Sequence, residues 1–116
     1  MTENTDTSRT VTWQLDSDNP ELAGQVREAL RQVVDPELGL NIIELGLIRD
    51  LDVEPDRAHL TMILTTPFCP YGPAIMEETR KKAQTTVGVP TTIEMGLQLW
   101  SPDLMEEGAG ADWGLF

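Results

Sequence analysis

Two alternating runs and two helical runs order this chain. Ala58, Leu60, Met62 and Leu64 alternate with His59, Thr61, Ile63 and Thr65, the period of two of a strand with one buried face. Ahead of them Leu47, Leu51 and Val53 are interleaved with Asp50 and Asp52, which predicts a first strand. Glu54-Pro55-Asp56-Arg57 between the two is a turn with proline where type I turns prefer it. With Pro55-Asp56 at the tip, Val53 opposes Ala58, Leu51 opposes Leu60 and Leu47 opposes Leu64, so inward positions meet inward positions. Ile48 and Ile63 then fall on the polar face, either as ordinary exposed residues or as half of a homodimer contact.

Asn19-Pro20 reads as a cap followed by a first helical residue, and Leu22, Val26, Ala29, Leu30 and Val33 follow at helical spacing. This helix is expected to end at Asp35, because the residue before Pro36 is pushed out of the helical region. In the second helical run Tyr71, Ile75, Thr79, Ala83 and Val87 recur every four residues, with Glu77, Glu78, Arg80, Lys81 and Lys82 on the other face. Glu77–Lys81 and Glu78–Lys82 are pairs in the favourable order. Gly88 or Pro90 stops the run. Ile93, Met95, Leu97 and Leu99 then alternate with Thr92, Glu94, Gly96 and Gln98, predicting a third strand. A helix between the second and third strands makes them parallel through a right-handed crossover, and the third is expected beside the first, antiparallel to it.

The order predicts an α+β fold: a two-layer α-β-β-α-β sandwich with a three-stranded mixed sheet and two helices on one face. Residues 1–17 lack sustained periodicity and read as a flexible N-terminal arm, in which Trp13 packs as an added edge strand. Residues 18–102 form the domain. Residues 103–116 are an acidic, glycine-rich tail whose Trp113 and Phe116 either cover part of the core or dock on another protein.

A chain of 116 residues builds one core. Its single cysteine excludes an internal disulfide framework. No apolar run approaches the roughly 20 residues of a membrane span, and no signal-peptide pattern opens the chain, so a soluble cytoplasmic protein is expected. Twenty acidic against eight basic residues give a net charge of -12. That balance disfavours nucleic acid and anionic lipid and favours basic partners or cations.

The candidate chemistry centres on Thr65-Thr66-Pro67-Phe68-Cys69-Pro70-Tyr71-Gly72-Pro73. Pro70 suits a first helical position, which would make Cys69 the N-cap at the positive end of a helix, where a thiolate is favoured. Extending the hairpin register brings Glu44, and from the preceding loop Asp35 and Glu37, to the same end of the domain. The helix end contributes about 1 kcal/mol or less. A carboxylate about 6 Å away at an effective dielectric near 20 opposes ionisation by almost 3 kcal/mol. With Glu44 that close, the thiol stays protonated until a cation neutralises the carboxylate. The alternative is that Cys69 is a small buried hydrophobe.

Several chemistries fall away. His59, the lone histidine, lies mid-strand at the far end from Cys69, which opposes a Cys-His dyad. There is no CxxC pair, no zinc-site spacing and no phosphate-binding glycine loop. One cysteine cannot hold an iron–sulfur cluster alone, although two protomers or a partner supplying ligands can.

Taken together, Asp35-Pro36-Glu37-Leu38-Gly39, Asn41-Ile42-Ile43-Glu44-Leu45-Gly46-Leu47-Ile48 and Thr65-Thr66-Pro67-Phe68-Cys69-Pro70 resemble the metal–sulfur cluster assembly factor family. That family includes SufT-like proteins, PaaD-like factors of phenylacetyl-CoA oxygenase and the eukaryotic cytosolic iron–sulfur targeting subunits. The likeness runs over about residues 20–102 and includes Trp100-Ser101-Pro102. It implies the same α-β-β-α-β domain and a role in maturing iron–sulfur proteins without catalytic turnover. It further implies a transient iron–sulfur cluster or iron as cargo and an assembly scaffold or client protein as partner. By the family's pattern Cys69 is the functional residue, with Asp35, Glu37, Thr66, Pro67 and Pro70 in the surrounding motifs. Glu44 stands where aspartate is common, and the chain lacks the cysteine-rich extension of longer PaaD-like proteins. The leading expectation is a maturation factor aiding cluster delivery, with Cys69, Glu44 and Asp35 as candidate metal or cluster contacts. The alternatives are a maturation factor dedicated to a phenylacetyl-CoA-type oxygenase and a protein-interaction module that handles no metal. A thiol-dependent enzyme ranks last for want of a base.

Overall fold

Asn19 starts the first long helix as its sequence suggests: its side-chain oxygen accepts the Leu22 N–H at 3.1 Å, and Pro20 takes a position where no N–H is needed. The computed structural model describes residues 12–66 and 70–105. In chain order it contains α1 (Gln14–Asp18), α2 (Pro20–Leu30), β1 (Ile48–Glu54), β2 (Arg57–Met62), α3 (Gly72–Val87), β3 (Thr91–Met95) and a short 3-10 helix (Pro102–Leu104). The fold is α+β, with a mixed three-stranded sheet. α2 and α3 pack on each other, with Ala23, Val26 and Leu30 buried on one and Ile75, Thr79 and Ala83 on the other. Leu51, Ala58, Leu60 and Met62 of the hairpin complete the core. Gly88 ends α3 in the left-handed region at φ 82°, which favours glycine.

The hairpin pairs as its pattern requires near the tip, with Val53 opposite Ala58 and Leu51 opposite Leu60. Farther along, a bulge between Ile48 and Asp50 shifts the register, so Ile48 meets Met62 and the expected Leu47–Leu64 pair does not form. One extra residue on one strand turns the following side chain to the other face. Ile48 is therefore core, at 1% exposure, and Ile63 is equally buried, so neither can serve as an exposed dimer contact.

β3 lies beside β2, in the order β1-β2-β3, and not beside β1. The free edge of β1 is already used: the Trp13 indole N–H donates to the Ile48 carbonyl at 3.1 Å and the Gln14 N–H to the Asp50 carboxylate at 2.8 Å. Within the segment expected to be an arm, Trp13 and Leu15 are thus 2% and 1% exposed, and Trp13 packs ahead of a helix, not in an added strand. α2 ends at Leu30, short of Asp35. After Leu30 the backbone finds partners across a loop, with Val34 bridging Asn41 and the Ile42 N–H donating to the Val33 carbonyl. β3 ends at Met95, and Leu97 and Leu99 leave the core at 99% and 79% exposure. Residues 96–100 instead cross the outer face of the sheet as a strap. A Cβ at Gly96 would lie 3.2 Å from both Ile63 and Thr61 side chains, which is how Ile63 comes to be covered. On α3, Glu77 pairs with Arg80 at 2.7 Å, not with Lys81, and Lys82 reaches Gln32.

An ion pair also fastens α1 to α2. Both guanidinium nitrogens of Arg27 donate to the Asp16 carboxylate, at 2.7 and 2.9 Å, and the same guanidinium lies 4.0 Å from the Trp13 ring centroid. The Arg27 hydrogen bonds hold the Asp16 carboxyl below the ordinary carboxylate range, against the opposing pull of burial. A lowered folded-state value contributes stability that is complete above the unfolded value, near about 3.9, and is lost as pH falls through the folded one. Asp16→Asn should therefore cost about 1 kcal/mol at pH 7, measured by urea unfolding. The gap from wild type should close as the pH drops below 4; a gap that persists in acid would mean the carboxylate charge is not what holds α1.

Candidate functional site

The loop Asp35–Gly39 is built around one buried carboxylate. Asp35 is 2% exposed, and its Oδ1 accepts the N–H groups of Glu37 at 2.8 Å and Leu38 at 3.3 Å. The Asp35 carbonyl accepts the Gly39 N–H, with Gly39 at φ 74°. The remaining carboxylate oxygen accepts the Thr65 hydroxyl at 3.3 Å. Asp35 thus joins the first part of the α2–β1 connection to the exit of β2. Glu37 lends its backbone to this turn while its side chain is exposed.

The next turn closes on itself. The Glu44 N–H donates to the Asn41 side chain at 2.8 Å, and the Asn41 N–H to the Glu44 carboxylate at 3.0 Å, a reciprocal capping pair. Ile42, Ile43 and Leu45 are buried beneath it. At Gly46, φ 73°, a Cβ would overlap the Leu104 carbonyl, so both the turn and the close approach call for glycine.

α3 begins at Gly72 with Tyr71 at its cap, and Pro73 is the proline in the first turn. The helix therefore starts later than Pro70 suggests, and Cys69 precedes the cap by two residues and does not occupy it. Since the helix dipole acts within its first turn, the thiolate stabilisation expected from an N-cap cysteine does not carry over in that form. A Cβ at Gly72 would fall 2.7 Å from Leu64, so glycine lets the start of α3 close on the exit of β2. Thr65 and Gly72 are in this way two anchored points on either side of the cysteine segment. Thr66 is half-buried and Pro70 exposed; Pro67 and Cys69, with Phe68, lie outside the described residues.

His59 is elsewhere. Its Nδ1 is 2.8 Å from the Thr92 hydroxyl and its Nε2 2.7 Å from the Glu94 carboxylate, about 20 Å along the strand direction from Thr65. Among the described residues no three His, Cys, Asp or Glu side chains gather as a metal ion would need. The described oxygens of Asp35 and Glu44 serve backbone groups and a hydroxyl. Cys69 is the one thiol of the sequence, and thiolate is a ligand type that suits iron–sulfur clusters.

The alternating pattern concealed the strap. Trp100 donates its indole N–H to the Leu45 carbonyl at 2.7 Å. Arg49, the extra residue of the bulge, donates to the Gly46 carbonyl at 2.9 Å and to the Gln98 side chain at 3.0 Å. Burial pushes the Arg49 pKa down from its ordinary value. Between the strap and the exit of β2 runs a groove of about 370 Å³, lined in part by Leu64, Thr65, Met95, Leu97, Leu99 and Trp100. The Trp100-Ser101-Pro102 block was the one sequence signal for this corner.

Asp35→Ala should destabilise the fold by about 2–3 kcal/mol, because two backbone N–H groups and a hydroxyl lose a buried acceptor. Thr65→Val should cost about 1 kcal/mol or less, since its bond is long. Denaturant unfolding of both variants checks the order; equal costs would place the weight of the tie on Thr65.

Residues 24–94 match the family described as "Iron-sulfur cluster assembly protein". The Fe-S protein maturation auxiliary factor YitW of Bacillus subtilis is 48% identical over 61 residues, 52% of this chain and 60% of that protein's length. A Fe-S protein maturation auxiliary factor of Porphyromonas gingivalis is 39% identical over 88 residues, covering 73% of this chain and 84% of the relative. The crystal structure of a domain of unknown function from Bacillus anthracis superposes with a TM-score of 0.74 at 27% identity, over 86% of this chain and 98% of that one.

Proposed function

We propose, from the fact that this chain belongs to the iron–sulfur cluster assembly protein family, that it acts as a non-enzymatic maturation factor that helps pass iron–sulfur clusters to client proteins in the cytoplasm. Cys69 makes the transient contact with the cargo. The observation that supports this reading is that the stretch of sequence holding the chain's single cysteine is flanked by two anchored residues, Thr65, bound to Asp35, and Gly72, seated on Leu64. One sulfur supplies too few bonds to keep a cluster. A loose, exchangeable hold is what delivery requires, with the remaining ligands coming from a scaffold, a client or a second protomer. On this reading Asp35, Glu44, Glu37 and Thr66 shape and hold the segments that present the sulfur. No helix among the described residues is long and apolar enough to cross a membrane. The net charge of -12 suits partners with a basic face.

In cells lacking the native gene, Cys69→Ala should lower the activity of iron–sulfur enzymes by about tenfold or more without changing the enzymes' abundance, a loss of the size expected when a required ligand goes. The melting temperature of the purified variant should match wild type. Anaerobic incubation with iron and sulfide should give wild-type protein a visible absorbance that Cys69→Ala lacks. Full client activity with the alanine variant would overturn the reading.

A further inference from the structure

The strap corner combines three features that the delivery reading does not use. Leu97 and Leu99 are 99% and 79% exposed and Met95 45%, all along one groove. Isolated exposed leucines are ordinary, but neighbouring ones along a groove mark a contact surface. At the same corner Arg49 is half-buried and bonded only to the neutral Gly46 carbonyl and Gln98 side chain, with no carboxylate beside it among the described residues. A partly desolvated guanidinium without a counter-charge favours an acidic occupant.

The third feature is where the described chain ends. Met105 is fully buried, and the Leu104 carbonyl fills the space a Cβ would take at Gly46, the residue whose own carbonyl binds Arg49. Residues 106–116 therefore start beside this corner. They read Glu106-Glu107-Gly108-Ala109-Gly110-Ala111-Asp112-Trp113-Gly114-Leu115-Phe116: three carboxylates, three large apolar side chains and glycines that let the chain turn. An extended stretch from Glu106 to Trp113 spans about 26 Å, ample to return over Trp100 to the leucines.

We propose that the groove is the docking surface for the chain's own residues 106–116, with Trp113, Leu115 and Phe116 covering Leu97 and Leu99 and an acidic side chain of the segment facing Arg49. Its charge complements Arg49, whereas a basic occupant would meet like charge. Docked, the segment lies against the groove wall formed by Leu64 and Thr65. The inference stands whether or not the domain carries clusters.

The test uses the full chain carrying Cys69→Ser and Ala111→Cys, with a nitroxide on the new thiol and methyl spectra of Leu97 and Leu99. Docking in the same molecule predicts that both leucines lose most of their methyl intensity, unchanged on tenfold dilution. Trp113→Ala should restore the signals. Asp112→Asn, or Arg49→Gln if it folds, should cut the docked fraction relative to the free one by about tenfold if that pair makes the charged contact. Leucine methyls at full intensity would overturn the proposal. Broadening found only on unlabelled chains mixed with labelled ones would overturn it too, by assigning the groove to a second copy.

Discussion

One extra residue in β1 decides how this molecule is arranged. The bulge places Arg49 where a regular ladder would have had a paired residue, and turns Ile48 inward against Met62. Two contacts then become available that a straight strand would not offer. The Ile48 carbonyl takes the Trp13 indole, which closes that edge of the sheet with α1. Arg49 reaches the Gly46 carbonyl and Gln98, which fixes the strap over Ile63. With that edge occupied, β3 is left to pair with β2, and the right-handed crossover through α3 takes it there.

The turns around Asp35 and Glu44 are polar in sequence and closed by hydrogen bonds in structure, for a reason that follows from satisfying backbone groups. Asp35, Asn41 and Glu44 each accept from backbone N–H groups that would otherwise be left without partners near the core. A short acidic or amide side chain does this locally, without a regular ladder. Asp35 and Glu44, candidate contacts in the sequence reading, thus also tie these turns to their own backbone. Their position at one end of the domain follows from the Asp35–Thr65 bond across the loop and the strand exit.

What could be read from the residues was whatever depends on near neighbours. Asn19-Pro20 fixed a helix start through one side-chain acceptor and one missing donor. The hairpin tip followed from alternation and Pro55, and the end of α3 fell at Gly88, one of the two stops that the pattern offered. The fold class followed from element order. What could not be read depends on contacts made from far away. The bulge keeps alternation in composition while breaking it in register, so Ile48 and Ile63 looked exposed. Leu97 and Leu99 continue a strand-like period although the backbone has left the ladder after the Gly96 N–H reaches the Met62 carbonyl. α2 stops at Leu30 because Val33 and Val34 find partners at Ile42 and Asn41, a preference no helical period reveals. At the candidate site, the order of the elements put Asp35 and Thr65 at one end of the domain although the register shifts at the bulge; the role of the Asp35 oxygens was not legible, since a carboxylate's partners are set by the turn that forms around it.

Two glycines mark close approaches of the chain at this end of the domain. At Gly72 a side chain would push the first turn of α3 off Leu64, and at Gly46 one would push the strap off its turn. Each approach lets backbone meet backbone or core directly, so neither anchor depends on a flexible side chain. Among the described residues the carboxylates of this corner serve the frame: Asp35 accepts through both of its oxygens and Glu44 through one, so the turns at 35–39 and 41–44 are tied to their own backbone and to the exit of β2.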